Sequence, residues 1–335
     1  MSRKIPTTVI TGFLGAGKTT LVRHLLANSD GRRIALIVNE FGDMGVDGEL
    51  LAACGVQGCR EEDIIELANG CLCCTVADEF LPTMQALLDR PNPPDHIVIE
   101  TSGLALPKPL VKAFHWPEIR SRVTVDGVVA LVDAAAVSAG RFASSPEEMA
   151  RPDHDNPLEE VFEDQMAAAD LVILNKADLL DAASFARVTA EVQGRLRPGV
   201  KVVPTRMSAV DPVVLLGLSA AAEDDLDARP SHHDLEDGHD HDDFESFAVL
   251  LPEIADPAAL ELRLLEAIAV HDILRLKGFL AVSGKPARHV VQAVGGRMER
   301  YYDRPWKPGE DRASRLVVIG RTGLDRAAIE AVVLG

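Results

Sequence analysis

Apolar residues fall in short, dense runs along the first two thirds of the chain: Pro6–Thr11, Ile34–Asn39, His96–Glu100, Val128–Asp133, Leu171–Asn175 and Lys201–Pro204. The runs are rich in Val and Ile, are too short for buried helices, and are separated by stretches with helical spacing. Near-continuous apolar runs of this kind suit strands covered on both faces. They predict an α/β unit with a mostly parallel sheet and helices on either side. In the helical stretch after the first run, Leu21, Val22, Leu25 and Leu26 share one face, the face that would pack on the sheet.

The pattern breaks at residue 223. Glu223–Asp243 reads EDDLDARPSHHDLEDGHDHDD, with ten acids against one Arg, a net −9 that is half of the chain's −18. Four of the ten His lie there: His232, His233, His239 and His241. Such a stretch has little to bury and predicts a flexible linker. Beyond it, Phe244–Leu251, Ile273–Ser283 and Arg315–Ile319 read as strands, and Pro257–Val270 and Asp325–Val333 as helices. The expected organisation is an α/β domain over 1–222, an acidic His-rich linker over 223–243 and a smaller α+β domain over 244–335.

Composition narrows the function classes. A net charge of −18 on 335 residues argues against nucleic-acid or anionic-membrane binding. No run of ~18 apolar residues is present, so no transmembrane helix is expected. The opening MSRKIPTTVITGF reads as a first strand rather than a signal peptide, which points to the cytoplasm. All five cysteines (54, 59, 71, 73 and 74) lie within one 21-residue window. An odd, clustered set is not a disulfide framework; it suggests thiol or metal chemistry in a reducing compartment.

The chemistry begins directly after the first strand. Gly12-Phe-Leu-Gly-Ala-Gly-Lys18-Thr19 matches the phosphate-binding pattern G-x-x-x-x-G-K-[ST], with a strand before it and an amphipathic helix after it. Gly12, Gly15, Ala16 and Gly17 let backbone N–H groups wrap phosphates at a helix N-terminus. Lys18 is expected on the β- and γ-phosphates, Thr19 on Mg²⁺ and Thr20 near the α-phosphate. Asn175-Lys176-Ala177-Asp178 ends a late strand and matches the NKxD of GTPases. A carboxylate at Asp178 can accept from both N1–H and N2–H₂ of guanine, donors that adenine lacks there, so such a site discriminates strongly. Lys176 would lie along the base, Asn175 would brace the loop, and Met207-Ser208-Ala209 stands where a third base-contacting segment is expected. Glu100 ends the strand His96–Glu100 and is expected to hold the Mg²⁺ shell or a water, with Gly103 offering its N–H to the γ-phosphate. No arginine is placed by the sequence as a finger in cis, so slow intrinsic hydrolysis is expected.

Cys71-Leu72-Cys73-Cys74 follows Gly70. Three thiols in four residues can converge in a turn, and thiolates suit Zn²⁺ and Co²⁺. Two or three thiolates leave room for an exchangeable ligand, which suits transport better than a closed structural site. Glu40, in Asn39-Glu40-Phe41-Gly42 after the second strand, is a candidate metal-associated residue. The His/Asp tract is a candidate weak capture site. Two other classes fit part of the pattern: an ATP-dependent kinase or ligase on the same phosphate loop, against which NKAD argues, and a passive metal store on the His tract.

In this order GFLGAGKTT, NEFG, CLCC, ETSG and NKAD resemble the CobW family of metal-handling P-loop GTPases, and LKGFLAV resembles its second domain. The resemblance covers essentially the whole chain. The insertion Arg141–Pro157, the HDHDDFESF junction and the lack of a Cys-Pro docking motif before the phosphate loop are most similar to the cobalamin-biosynthesis members. It implies a GTPase that uses GTP and Mg²⁺, binds Co²⁺ (or Zn²⁺) at Cys71, Cys73 and Cys74, and delivers Co²⁺ to cobaltochelatase or metal to another acceptor protein.

Overall fold

The computed structural model describes residues 4–29, 31–39, 64–67, 80–141, 157–231, 244–271, 273–294, 297–306 and 310–335. They form two compact units, one before residue 232 and one from residue 244 on. In the first, seven strands make one sheet: β1 (Ile5–Gly12), β2 (Ile34–Asn39), β3 (Ile64–Leu67), β4 (His96–Glu100), β5 (Val123–Asp133), β6 (Leu171–Asn175) and β7 (Lys201–Pro204). Their order is β3-β2-β4-β1-β5-β6-β7, with every pair parallel. The flanking helices are α1 (Lys18–Ala27), α2 (Leu81–Leu88), α3 (Pro107–Ala113), α4 (Ala134–Ser138), α5 (Pro157–Ala168), α6 (Ala182–Gly194) and α7 (Pro212–Leu215).

β2, β4 and β6 are buried on both faces, as their uninterrupted apolar content requires, while β7 at the sheet edge is partly exposed. On one side Ile37, Ile97, Ile99, Val125 and Val128 pack with Phe80, Leu87, Leu110 and Phe114. Leu21, Val22, Leu25 and Leu26 of α1 are all buried, as their spacing predicts. Because every strand runs the same way, the residues that end β1, β4, β5 and β6 come to one edge. Ile10 pairs with Glu100, Gly12 with Leu131, and Asp133 with Asn175. That edge carries the chemistry.

The second unit is a five-stranded antiparallel sheet, in the order β11-β10-β9-β12-β8. Its strands are β8 (Phe244–Leu251), β9 (Ile273–Leu280), β10 (Ala287–Val294), β11 (Arg297–Pro305) and β12 (Ser314–Arg321). Helices α8 (Pro257–Val270) and α9 (Arg326–Leu334) supply Leu260, Leu264, Ile329 and Val333 to one shared core with Val249, Leu276 and Val318. Asp256 and Asp325 cap these helices, accepting from Ala258 and Ala328 N–H at 3.0 Å each.

Several elements depart from the sequence expectation. β3, β10 and β11 are additional strands, and β5 starts at Val123 rather than Val128. β9 ends at Leu280 rather than Ser283, because the backbone then turns to Ile254: Ile254 N–H donates to Ala281 O at 2.7 Å and Ser283 N–H to Ile254 O at 2.9 Å. The largest correction concerns the start of the acidic stretch. Residues 222–228 form a 3₁₀ segment, and Glu223 and Arg229 are buried against the first unit. The charges there are paired: Glu223 accepts from Thr124 Oγ1 at 2.6 Å and Val125 N–H at 2.8 Å, and Arg229 donates to Asp170 at 2.8 Å and Asp225 at 2.7 Å. The rest of the tract, with its four histidines, lies outside the described residues. Among the described residues no helix is long and apolar enough to cross a membrane.

Candidate functional site

β1 delivers Gly12 to the end of the sheet, and the turn through Gly15 and Ala16 leads into α1, with Ala16 N–H donating to Phe13 O at 3.2 Å. Gly17 stands before the helix at φ 106°, and no side chain caps α1. The first-turn N–H groups of a helix without a side-chain cap are an anion-binding surface. A side chain at Gly17 is excluded twice over. Its φ is left-handed, and a Cβ would lie 2.6 Å from both Asn175 Nδ2 and Ser208 Oγ. Lys18 is buried, its Nζ donating to Gly12 O at 2.6 Å and toward Phe13 O at 3.4 Å. The ammonium is thus folded back over the loop that would receive phosphates. Thr20 is exposed in the first turn of α1.

Glu100, the last residue of β4, is 3% exposed and accepts from Thr19 Oγ1 at 2.9 Å. It therefore faces the phosphate loop. A hydroxyl and a buried carboxylate meeting there are hard oxygen donors of the kind Mg²⁺ takes. The turn after Glu100 rests on the phosphate loop. A Cβ added at Gly103 would come within 2.4 Å of Leu14 Cδ2 and 2.9 Å of Leu14 N, so only glycine allows this approach.

The third element is the NKAD segment. Asn175 Nδ2 donates to Ala16 O and to Ser208 Oγ, both at 2.8 Å, while Asn175 Oδ1 accepts from Ser208 N–H at 2.9 Å. Ser208 Oγ in turn donates to Gly17 O at 3.0 Å. Phosphate loop, NKAD and Met207-Ser208 are thereby tied into one junction. Met207 and Ser208 hold φ of 53° and 52°, and Lys176 holds 60°. Non-glycine residues adopt such angles at a cost of roughly 1–2 kcal/mol each, and here the surrounding hydrogen bonds enforce them. Lys176 Nζ pairs with Asp133 Oδ2 at 3.0 Å. Asp178 is exposed in the 3₁₀ turn Ala177–Leu179, and among the described residues no hydrogen bond engages it.

The structure thus brings together Gly12, Gly15, Ala16, Gly17, Lys18, Thr19, Glu100, Gly103, Asn175 and Lys176. Sequence reasoning missed two polar residues that serve them. Asp133 ends an apolar strand at the edge where site residues collect, and that position was its signal. Gln165 is a polar residue on the buried face of α5, between Phe162 and Met166 and the buried Ala168 and Ala169. Cys54, Cys59, Cys71, Cys73, Cys74 and Glu40 lie outside the described residues. The strands that lead to them are described. Asn39 at the end of β2 pairs with Leu67 at the end of β3, so the chain leaves both strands from neighbouring positions. Among the described residues there is no group of three or more His, Cys, Asp or Glu able to hold a metal.

The histidines nearest the sheet are structural. His96 starts β4 at the opposite edge, hydrogen-bonded to Thr8 Oγ1 at 2.8 Å. Burial pushes its imidazole down to about 4. His115 Nε2 meets Glu223 O.

Comparison with known proteins agrees with this geometry. The model of the CobW/HypB/UreG nucleotide-binding domain matches residues 6–204, and that of the cobalamin synthesis protein CobW C-terminal domain matches residues 244–334. A zinc chaperone CobW of a Sinorhizobium species is 56% identical over 98% of this chain and 96% of its own length. A zinc chaperone CobW of Pseudomonas aeruginosa is 56% identical over 97% of this chain and 90% of its own. The zinc chaperone YjiA of Escherichia coli is 32% identical over 94% of each chain. With both domains matched in order and relatives aligned nearly end to end, this chain is a member of the CobW family, whose GTPase-type domain holds the junction just described.

Proposed function

We propose that the chain is a GTP-hydrolysing metallochaperone in which the bound nucleotide controls how tightly a transition metal is held. The nucleotide half of this reading rests on one observation, the junction at which Asn175 and Ser208 tie the guanine-reading segment to the phosphate loop. Asp178 accepts from guanine N1–H and N2–H₂, and the stem of Lys176 lies along the base. Lys18 and the N–H groups from Gly15 to Thr20 take the phosphates. Thr19 would hold Mg²⁺, with Glu100 binding it directly or through a water, and the ion when bound would supply charge neutralisation for the phosphates. Glu100 orients the attacking water. That water bonds to the γ-phosphorus as the bond to the β-phosphate oxygen breaks, releasing GDP and phosphate. Among the described residues no arginine is placed as a finger in cis, and turnover without a partner is expected to stay below ~0.1 s⁻¹.

The cargo half rests on family membership and on the CxCC pattern. Cys71, Cys73 and Cys74, with Glu40, bind the metal, and γ-phosphate contacts hold the two segments that follow β2 and β3 in the tight state. By linkage, metal then tightens GTP binding as much as GTP tightens metal binding, a coupling of about 1–3 kcal/mol. The printed names of the relatives favour Zn²⁺. So does the Irving–Williams order, which puts Zn²⁺ above Co²⁺ at thiolates. Supply of Co²⁺ to cobaltochelatase is the second reading, favoured by the description of the C-terminal family model.

Two experiments test this. Asp178→Asn exchanges an acceptor for an amide and is expected to move preference from guanine to xanthine nucleotides; unchanged preference would remove the base assignment. Zn²⁺ titrations of the GDP-loaded and GTP-analogue-loaded protein are expected to differ by at least roughly fivefold in affinity. Equal affinities, or affinity retained after Cys73→Ser and Cys74→Ser, would remove the chaperone mechanism. Co²⁺ displacing Zn²⁺ at equal free metal would favour the cobalt reading.

A further inference from the structure

Helix α5 buries Val161, Phe162, Met166 and Ala168, and among them Gln165 is fully buried as well. An amide on an apolar face is costly to bury unless it is hydrogen-bonded. Gln165 Nε2 is engaged twice, donating to Gly103 O at 3.3 Å and to Ala105 O at 3.2 Å. Its Oε1 has no hydrogen-bond partner among the described residues. The polarity of this side chain is therefore directed at one object, the turn that follows Glu100.

Within that turn Thr101 Oγ1 donates to Ser102 O at 3.2 Å. Ala105 N–H donates to Ser102 O at 3.2 Å, and Leu104 N–H reaches Ser102 Oγ at 3.4 Å. On one side it lies against the phosphate loop, where Gly103 meets Leu14. On another, Gln165 pins the carbonyls at 103 and 105. A trans peptide is planar, so the N–H of Gly103 points away from the carbonyl of Ser102. Ser102 O is held by the N–H of the Leu104–Ala105 peptide, and Gln165 holds the carbonyls of the two peptides on either side of it, Gly103–Leu104 and Ala105–Leu106. The direction of the Gly103 N–H is thus set through a short series of fixed peptides that starts at the Gln165 amide.

We infer that Gln165 is a positioning residue for γ-phosphate recognition: α5 holds the 102–105 turn through this amide so that the Gly103 N–H meets the terminal phosphate. The inference rests on the GTPase reading above. It makes Gln165 matter for the triphosphate and not for the diphosphate, although the residue touches neither.

The test uses the full chain, wild type and Gln165→Met, which keeps volume and loses both donors. Dissociation constants are measured for GDP and for the β,γ-imido analogue of GTP with Mg²⁺, together with single-turnover hydrolysis. The analogue is expected to weaken roughly tenfold while GDP stays within about twofold, and hydrolysis is expected to slow at least as much as analogue binding. A purely structural glutamine would shift both constants together, and that outcome, or no shift in either, overturns the inference. If Gln165→Met does not fold, Gln165→Leu, which also lacks a donor, is read the same way. Hydrogen exchange on the wild type is an independent measurement: residues 102–106 and 161–168 are expected to gain protection together with the analogue and not with GDP. Protection of one segment alone overturns the inference. A wild type that binds neither nucleotide, or that binds GTP without hydrolysing it, removes the GTPase reading itself and is told apart by needing no variant.

Discussion

At the edge where the parallel strands begin, buried charges are saturated by the protein. Asp126 accepts the N–H groups of Gly217, Leu218 and Ser219, Glu223 accepts from Thr124 and Val125, and Asp170 holds both Arg197 and Arg229. At the edge where the same strands end, the polar groups come from separate loops and converge. Lys18 folds over its own loop, Glu100 takes a threonine hydroxyl from α1, and Asn175 and Ser208 bridge to Ala16 and Gly17. Both edges bury charge, so burial does not identify function. The second edge differs in what it leaves available: an uncapped helix start, an exposed Asp178 and a lysine folded over the glycine loop. Left-handed residues occur at both edges, at Ser219 and Ala221 as at Lys176, Met207 and Ser208. Strain alone therefore does not mark a site either.

If this contrast is sound, substitutions at the two edges separate stability from nucleotide binding. Arg229→Ala removes a buried partner of Asp170 and is expected to cost about 4 kcal/mol in chemical denaturation, with GTP affinity unchanged once the protein is folded. Lys18→Ala is expected to do the reverse: GTP binding weakens by about 3 kcal/mol, roughly a hundredfold, while the melting temperature of the nucleotide-free protein barely moves. If Lys18→Ala instead unfolds the chain, the two edges are not distinct in the way described.

His96 offers a pH test of the structural edge. Its folded value of about 4 lies below the ordinary 6.5, so the fold favours the neutral ring. The stabilisation is full above pH 6.5 and is lost as pH falls toward 4, a total of about 3 kcal/mol. Denaturation curves from pH 7 to 4.5 are expected to show this slope in the wild type and a shallower one in His96→Gln. The smallest effect is expected at Asp133→Asn, which weakens the hold on Lys176. Guanine-nucleotide affinity is expected to drop by about 1 kcal/mol, roughly fivefold, equally for GDP and GTP. An effect confined to GTP would place Lys176 on the γ-phosphate instead of the base.

Much of the parallel unit was legible before any coordinates. β2, β4, β6 and β7 begin and end where the apolar runs do, and the first three are buried at every position, so that near-continuous apolar runs set them off from their flanks. β10 and β11 were missed for the opposite reason. ARHVVQAV and RMERYYDRP carry charges inside strands, and buried Arg288 is paired with Asp303 at 2.5 Å and stacked over the Phe279 ring. The acidic stretch misled in the same way, since composition counts Glu223 and Arg229 as solvated charges while the fold supplies each with a partner.

The phosphate loop, the NKAD segment and the strand that ends in Glu100 could be read from the chain itself, because each depends on backbone freedom and side chains within a few consecutive residues. What joins them could not. Asn175 bonds Ala16 across 159 positions, Arg229 reaches Asp170 across 59, and Gln165 holds Gly103 across 62. Only folding brings such groups within hydrogen-bond distance, and a partner that arrives through tertiary contact leaves no local trace in the order of residues.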